Sequence, residues 1–314
     1  MARFVLRRAV GSVVLVVVAV SLAYLLAATA LHPRANFEGR SPRPPERVID
    51  ARLTELNLND RTPLPDRYAV WVTGLLRGDL GRDFDGDPVA GELGRRIWVS
   101  LRLLLIGTVL GGVLGVALGA CSAVRQYRLS DRLITLASFV VLAMPVFVLA
   151  VLLQMGAQKV NDVTGTRIFQ WAGQDGLSHL VLPTVTIVLA QVAVYSRYQR
   201  SMMLDVLSAD FVRTARAKGL RRGTALRRHA LRMAVIPMTT YFAYNLGLLL
   251  LGAVFIEKIF GWHGMGEWLI DSIGRGDVNA VAAFDLFAAG LVLVAGLLAD
   301  LAQAALDPRV RVSR

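Results

Sequence analysis

Apolar and polar positions in this chain alternate on the scale of whole segments rather than residue by residue. Long apolar stretches recur at about 9–31, 97–121, 133–157, 179–199, 233–256 and 281–302. Each is close to the ~20 residues an α-helix needs to cross hydrocarbon. The pattern predicts an all-α polytopic membrane protein with six transmembrane helices. The first run follows Arg3, Arg7 and Arg8 and ends at Ala28-Thr29-Ala30, as a cleaved leader would. It is longer than the roughly 7–15 residues of a signal core, so a retained first span within residues 1–31 is expected.

The segments between the spans differ in kind. Residues 32–96 open on the Pro-rich "HPRANFEGRSPRPPE", which breaks helices. In "ERVIDARLTELNL", Ile49, Leu53 and Leu56 fall at i, i+4 and i+7, which predicts a short amphipathic helix. A second is expected in "DRYAVWVTGLL", before the turn-rich "RGDLGRDFDGDP". These elements predict a small external cap between spans 1 and 2, not a catalytic domain. Residues 97–302 then form a five-span core, comprising spans at 97–121, 133–157, 179–199, 233–256 and 281–302 and a long basic stretch at 200–232, with a tail at 303–314.

Charge fixes the orientation. The chain has 314 residues, 55% hydrophobic and 18% charged, below the roughly 25% charged share of soluble domains. Its net charge of +12 would suit a nucleic-acid binder if it were concentrated on one folded surface. Instead, segment 32–96 balances eleven basic against eleven acidic residues, whereas 197–232 sets ten basic against only Asp205 and Asp210. The N-terminus, 125–132 and the tail are also net positive, so the basic segments share one side. By the positive-inside rule that side, with both termini, is cytoplasmic, and nucleic acid is not an expected partner. Cys121 is the only cysteine and the four histidines are scattered, so neither a disulfide nor a metal site is expected.

Within the spans, Gly107, Gly111, Gly115 and Gly119 recur every four residues, a face on which a neighbouring helix can approach closely. Pro145 is expected to kink span 3. Arg102 and Asp285 stand near the external ends of spans 2 and 6, where snorkelling or a mutual ion pair is favoured over substrate recognition.

The basic stretch holds "SADFVRTARAKGLRR" at residues 208–222. Ser208 is placed to cap a helix, Asp210 favours its first turn, and Gly219 is a natural stop. A lipid-lying helix would carry a broad bulky apolar face. This one mixes Phe211 with the small Thr214, Ala215 and Ala217, which suits docking into a protein groove. The wider run "RYQRSMMLDVLSADFVRTARAKGLRRGTALRRHALRMAVIP", residues 197–237, resembles the coupling loop of inner-membrane permeases of ATP-driven (ABC) importers, in particular the oligopeptide/dipeptide branch. "GDLG" at 78–81, "PV" at 88–89, "HLVLPT" at 179–184, "FIEKIFGWHGMGEW" at 255–268 and "DPR" at 307–309 extend the resemblance through the cap and spans 2 to 6. Two outer-face positions depart from that branch: "HPRANFEGR" stands where Gly-Asp-Pro is common, and His263 where Pro is common.

The resemblance implies the MetI-like fold of type I ABC importer permeases, in a bacterial inner membrane. It implies a non-catalytic subunit with no cofactor of its own, ATP and Mg being held by one or two partner ABC ATPase subunits. The chain itself has Lys only at 159, 218 and 258, none in a phosphate-binding G-x-x-x-x-G-K-[ST] loop. Other implied partners are a second homologous permease, an external solute-binding protein or lipoprotein, and membrane lipids. Asp210, Phe211, Arg213, Thr214, Ala215, Arg216, Ala217, Lys218 and Gly219 are then the expected ATPase-coupling residues. A path at the interface between two permeases makes Gln154, Gln191, Tyr241, Tyr244 and Asn245 its expected lining. The alternative is an ion-gradient-driven secondary transporter or channel, which would place carboxylates or histidines deep in its spans. Only Asp285 approaches that pattern. An intramembrane protease would need a Ser–His pair or a His-Glu-x-x-His helix there, and neither is present.

Overall fold

The computed structural model describes the backbone of residues 2–38, 41–173, 176–226 and 230–306, with side chains described over most of these except 2–10, 12, 222, 239–240, 243–252 and 299–306. The fold is all-helical. Among the described residues the sole β feature is an isolated bridge between Arg82 and Pro88. The helices are α1 (Ala2–Ala30), α2 (Glu46–Glu55), α3 (Leu64–Leu76), α4 (Val89–Val124), α5 (Leu129–Leu142), α6 (Val146–Thr164), α7 (Leu177–Leu207), α8 (Asp210–Ala217), α9 (Arg222–Ala225), α10 (Leu231–Phe260), α11 (Met265–Gly274) and α12 (Val278–Leu306). Among the described residues, α1, α4, α6, α7 and α12 are long and apolar enough to cross a membrane. At 30 residues, α10 has the length as well, ~45 Å at 1.5 Å per residue.

Pro145 does more than kink its span. It interrupts the helix, so that α5 ends at Leu142 and Pro145 itself, at φ −56° and ψ 142°, caps α6. An extended ψ cannot continue a helix, and the proline ring removes the N–H that the previous turn would have bonded.

The chain divides into two compact units, residues 1–100 with 263–293 and residues 101–262 with 294–314, the divisions falling inside α4, between α10 and α11, and inside α12. In the first unit, α2 buries the predicted Ile49 and Leu53, and Leu56 beyond its end is buried too. On α1, Tyr24 is fully buried and stacks on Trp71 of α3 at 4.5 Å between ring centroids, with Tyr68 beside both. The Tyr24 hydroxyl donates to the Arg67 carbonyl (3.2 Å) and that of Tyr68 to Ser21 (2.7 Å), so each polar tip is satisfied where the ring is buried.

Residues 32–96 are tied by side chains reaching backbone. Asn279 donates to the carbonyls of Leu56 and Arg82, both at 2.8 Å, and Asp277 accepts from the Phe84 N–H at 2.7 Å. Arg34 gathers Asp50, Asp60 and Glu46. Its hydrogen bond to Asp50 holds that carboxyl below the usual carboxylate range; burial opposes the same effect at Asp60 without cancelling it.

In the second unit α7 is the central element, packing on α5, α6 and α10. It also lies along the glycine face of α4. A Cβ placed on Gly107, Gly111 or Gly115 would stand 2.6 Å from Ile187 Cγ2, Gln191 Cβ and Tyr195 Cβ respectively. One on Gly119 would meet the Ser196 carbonyl oxygen and stand 2.8 Å from Gln199 Cβ. Both rows repeat every four residues, so backbone of one helix meets side-chain stems of the other in register.

Candidate functional site

The end of α7 leads directly into α8. Ser208, expected as the N-cap of α8, instead closes α7, its hydroxyl donating to the Asp205 carbonyl at 3.0 Å. The chain turns one residue later. Ala209 is the N-cap, with an extended ψ of 144° and no side-chain cap, and Asp210 supplies negative charge to the first turn. At the other end Gly219 has φ +89°, a conformation that side chains with a Cβ resist. The Gly219 N–H donates to Arg216 (3.0 Å) and the Leu220 N–H to Ala215 (3.3 Å), a Schellman closure that satisfies two of the free terminal carbonyls.

Over its eight residues α8 shows two unlike faces. Val212 and Ala215, three apart, are buried. Val212 enters a cluster with Ala123 of α4, Met203 of α7 and Ala230 and Ala234 at the start of α10. Asp210, Phe211, Arg213, Thr214, Arg216, Ala217, Lys218 and Gly219 are exposed, Phe211 by 43%. The ion pair across this face, Arg213 to Asp210 at 3.8 Å, joins side chains 74% and 97% exposed, and such a pair is worth little. The helix thus turns two apolar side chains inward, Val212 into that cluster, and presents cations, an aromatic ring and a small-residue patch outward. Ala215, expected on the docking face with the rest, is buried instead. Arg227, in the same basic stretch, and the "DPR" at 307–309 lie outside the described residues.

The residues expected to line a path lie in helix packing where their side chains are described. The Gln154 amide donates to the carbonyls of Trp171 (3.2 Å) and Ile259 (3.1 Å). Gln191 is 4% exposed, with its stem on the α4 glycine face and its amide nitrogen unpartnered. Tyr241 stacks on Tyr198 at 4.1 Å and meets Tyr195 edge-on. The side chains of Tyr244 and Asn245 lie outside those described. On α4, the Arg102 guanidinium lies over the Trp262 ring at 5.0 Å, where a cation is held by the π face. His263 bonds Glu267 at 2.6 Å.

Sequence reasoning passed over Asp131, a buried carboxylate at the start of α5 held by Arg200 of α7. Set among Arg125, Arg128 and Arg132, it reads only as one negative charge in a positive loop.

The profile of binding-protein-dependent transport system inner membrane components matches residues 111–312, a stretch that includes α8, its seat and most of the glycine face. The chain belongs to this family. It is 52% identical over 327 residues to the oligopeptide transport system permease protein OppB of Mycobacterium tuberculosis, covering all of both chains. It is 35% identical to the oligopeptide transport system permease protein AppB of Bacillus subtilis, over 82% of this chain and 83% of that one. The dipeptide transport system permease protein DppB of Escherichia coli is 32% identical, over 82% of this chain and 84% of that one. Among the described residues no group of three or more metal-ligating side chains comes together. For an inner-membrane transport component, a short helix clamped to three spans and cationic on its open face is therefore the feature to explain.

Proposed function

We propose that this chain is the membrane permease subunit of an ATP-driven importer of oligopeptides or dipeptides, with α8 as its coupling helix. The observation that carries the reading is the division of α8 into a buried side, Val212 and Ala215, with Val212 seated against α4, α7 and α10, and an exposed face of Phe211, Arg213, Thr214, Arg216, Ala217 and Lys218. A helix held from beneath by α4, α7 and α10 passes a push on its outer face to all three. The peptide class is supported by the relatives' substrates.

On this reading one or two ABC ATPase subunits dock on α8 and hold the ATP and Mg. A second homologous permease completes the path, and an external solute-binding protein or lipoprotein delivers the peptide. Both termini and α8 face the cytoplasm, residues 32–96 form the external cap, and the six spans follow the apolar segments. The exposed apolar side chains of α5 and α6, such as Leu136, Phe139, Leu152 and Met155, supply surface for lipid and for the second permease.

The energy source tests the proposal. Peptide uptake by energised cells producing this chain is expected to stop with vanadate and to survive collapse of the proton gradient while ATP is maintained. Uptake that follows the gradient and ignores vanadate would favour a secondary transporter.

A further inference from the structure

The seat of α8 has a neighbour that the coupling reading does not use. Asp131 is 4% exposed, and both its carboxylate oxygens are engaged. Oδ1 accepts from the Ser122 hydroxyl on α4 and from Arg200 Nε on α7 at 2.8 Å. Oδ2 accepts from the Tyr127 N–H at 2.9 Å and from the second arm of the Arg200 fork at 2.9 Å. Tyr127 itself adopts a left-handed φ of 64°, which marks the sharp turn joining α4 to α5. One carboxylate thus gathers α4, the turn, α5 and α7.

The same helix ends build the pocket for α8. Ser122 precedes Ala123, and Arg200 lies one turn before Met203; Ala123 and Met203 are two of the residues in the cluster that Val212 enters. The remaining contacts of α5 with α7 include the Ser138–Ser196 hydroxyl pair at 3.1 Å, two further turns along. A two-armed guanidinium–carboxylate bond fixes direction as well as distance. Burial makes it costly to release either partner alone.

We infer that Asp131 and Arg200 are a positioning pair that makes the ends of α4, α5 and α7 move as one body with α8, so that a displacement of α8 reaches α5 instead of being lost in the α4–α5 turn. This rests on the coupling reading. Neither residue touches ATP or solute, and neither lies on the exposed face of α8. The pair therefore governs how much transport each hydrolysis yields, not whether the ATPase binds.

The test uses the whole transporter, purified through a tag on this chain and reconstituted in proteoliposomes with its binding protein. An isotope-labelled tryptic digest of casein is the probe, with internalised peptide counted by mass spectrometry beside phosphate release. Asp131→Asn keeps the shape and removes the charge. Arg200→Lys keeps the charge and removes the fork, and stands as the second variant should the first assemble poorly. The expected result is a fall of about tenfold in peptide carried per ATP for Asp131→Asn and a smaller fall for Arg200→Lys. Complex yield and ATP hydrolysis should stay within about twofold of wild type. An unchanged ratio overturns the inference, as does a loss of hydrolysis, transport and yield in proportion, which would leave the pair a folding role alone. If the wild-type complex itself shows no ATP-dependent uptake, the proposed function fails, and the pair's assignment with it.

Discussion

Tyr24, Tyr68 and Trp71 in the first unit and the glycine face of α4 in the second solve one problem by opposite means. Helices α4 and α7, both long and apolar enough to cross a membrane, gain little in lipid from hiding apolar surface from one another, so their fit has to come from close packing. Helix α3, by contrast, belongs to the 32–96 segment and joins α1 by burying rings. Between α1 and α3 large rings supply the fit, with their polar tips satisfied on backbone and Ser21. Between α4 and α7 the fit comes from the lack of side chains, so that backbone approaches the stems of Gln191, Tyr195 and Gln199. The first contact fails when atoms are removed and the second when atoms are added.

That contrast can be broken in either place. Trp71→Ala removes a ring that is 6% exposed and stacked on Tyr24, and should cost about 3–5 kcal/mol, read as a lowered unfolding midpoint in detergent. Gly119→Ala adds one carbon against the Ser196 carbonyl and Gln199. It should cost about 1–3 kcal/mol by the same measurement. If Gly119→Ala proves neutral while Trp71→Ala is severe, the close approach of α4 and α7 is wrong.

Acidity sharpens the comparison within the first unit. Burial pushes the Asp277 carboxyl up to about 6 from its ordinary 3.8, against the hydrogen bonds it accepts from the Ala280 and Phe84 N–H groups. Its folded pKa is raised, so the folded chain holds more protons than the unfolded one between about pH 4 and 6, and stability falls as pH rises through that window. The midpoint should therefore climb as pH drops from 6 toward 4, and Asp277→Asn should flatten that climb. Asp50 and Asp60, held low beside Arg34, act oppositely: their contribution is present above about pH 4 and is lost as pH falls further. The smallest effect belongs to Gly156→Ala on α6, where an added Cβ meets nothing within 4 Å. It should be neutral or stabilise slightly, by up to about 1 kcal/mol, through helix propensity alone.

Much of this architecture is legible because membranes impose coarse rules. Apolar length marks the long helices, and the spacing of Ile49, Leu53 and Leu56 marks the cap helix. The four-residue glycine repeat is plain in the sequence as well. What it does not reveal is the partner: nothing in residues 187–199 announces that Ile187, Gln191, Tyr195 and Gln199 fall in register opposite, because that match is made by tertiary packing. The basic helix is recognisable from "DFVRTARAKG", but its facing is not. With eight residues rich in Ala, Thr and Arg, periodicity cannot tell a buried alanine from an exposed one, and Ala215 and Ala217 part company only in three dimensions. Ser208 misleads for a similar reason, since a serine between two helices caps whichever end its backbone turn allows. Asp131 is invisible because its partner is 69 residues away and its sequence neighbours are arginines that pair with it only on paper.

The most direct test concerns the two faces of α8. The chain is tagged, extracted in mild detergent, and the proteins that co-purify are identified by mass spectrometry for wild type and Ala217→Glu. Ala217 is exposed and away from the Val212 seat, so the variant should fold, melt and retain the second permease as wild type does. The account predicts that an ATPase accompanies wild type and falls by about tenfold or more with Ala217→Glu, a loss of ~1.4 kcal/mol or more in binding. An ATPase retained at the wild-type level would contradict the assignment of this face to coupling.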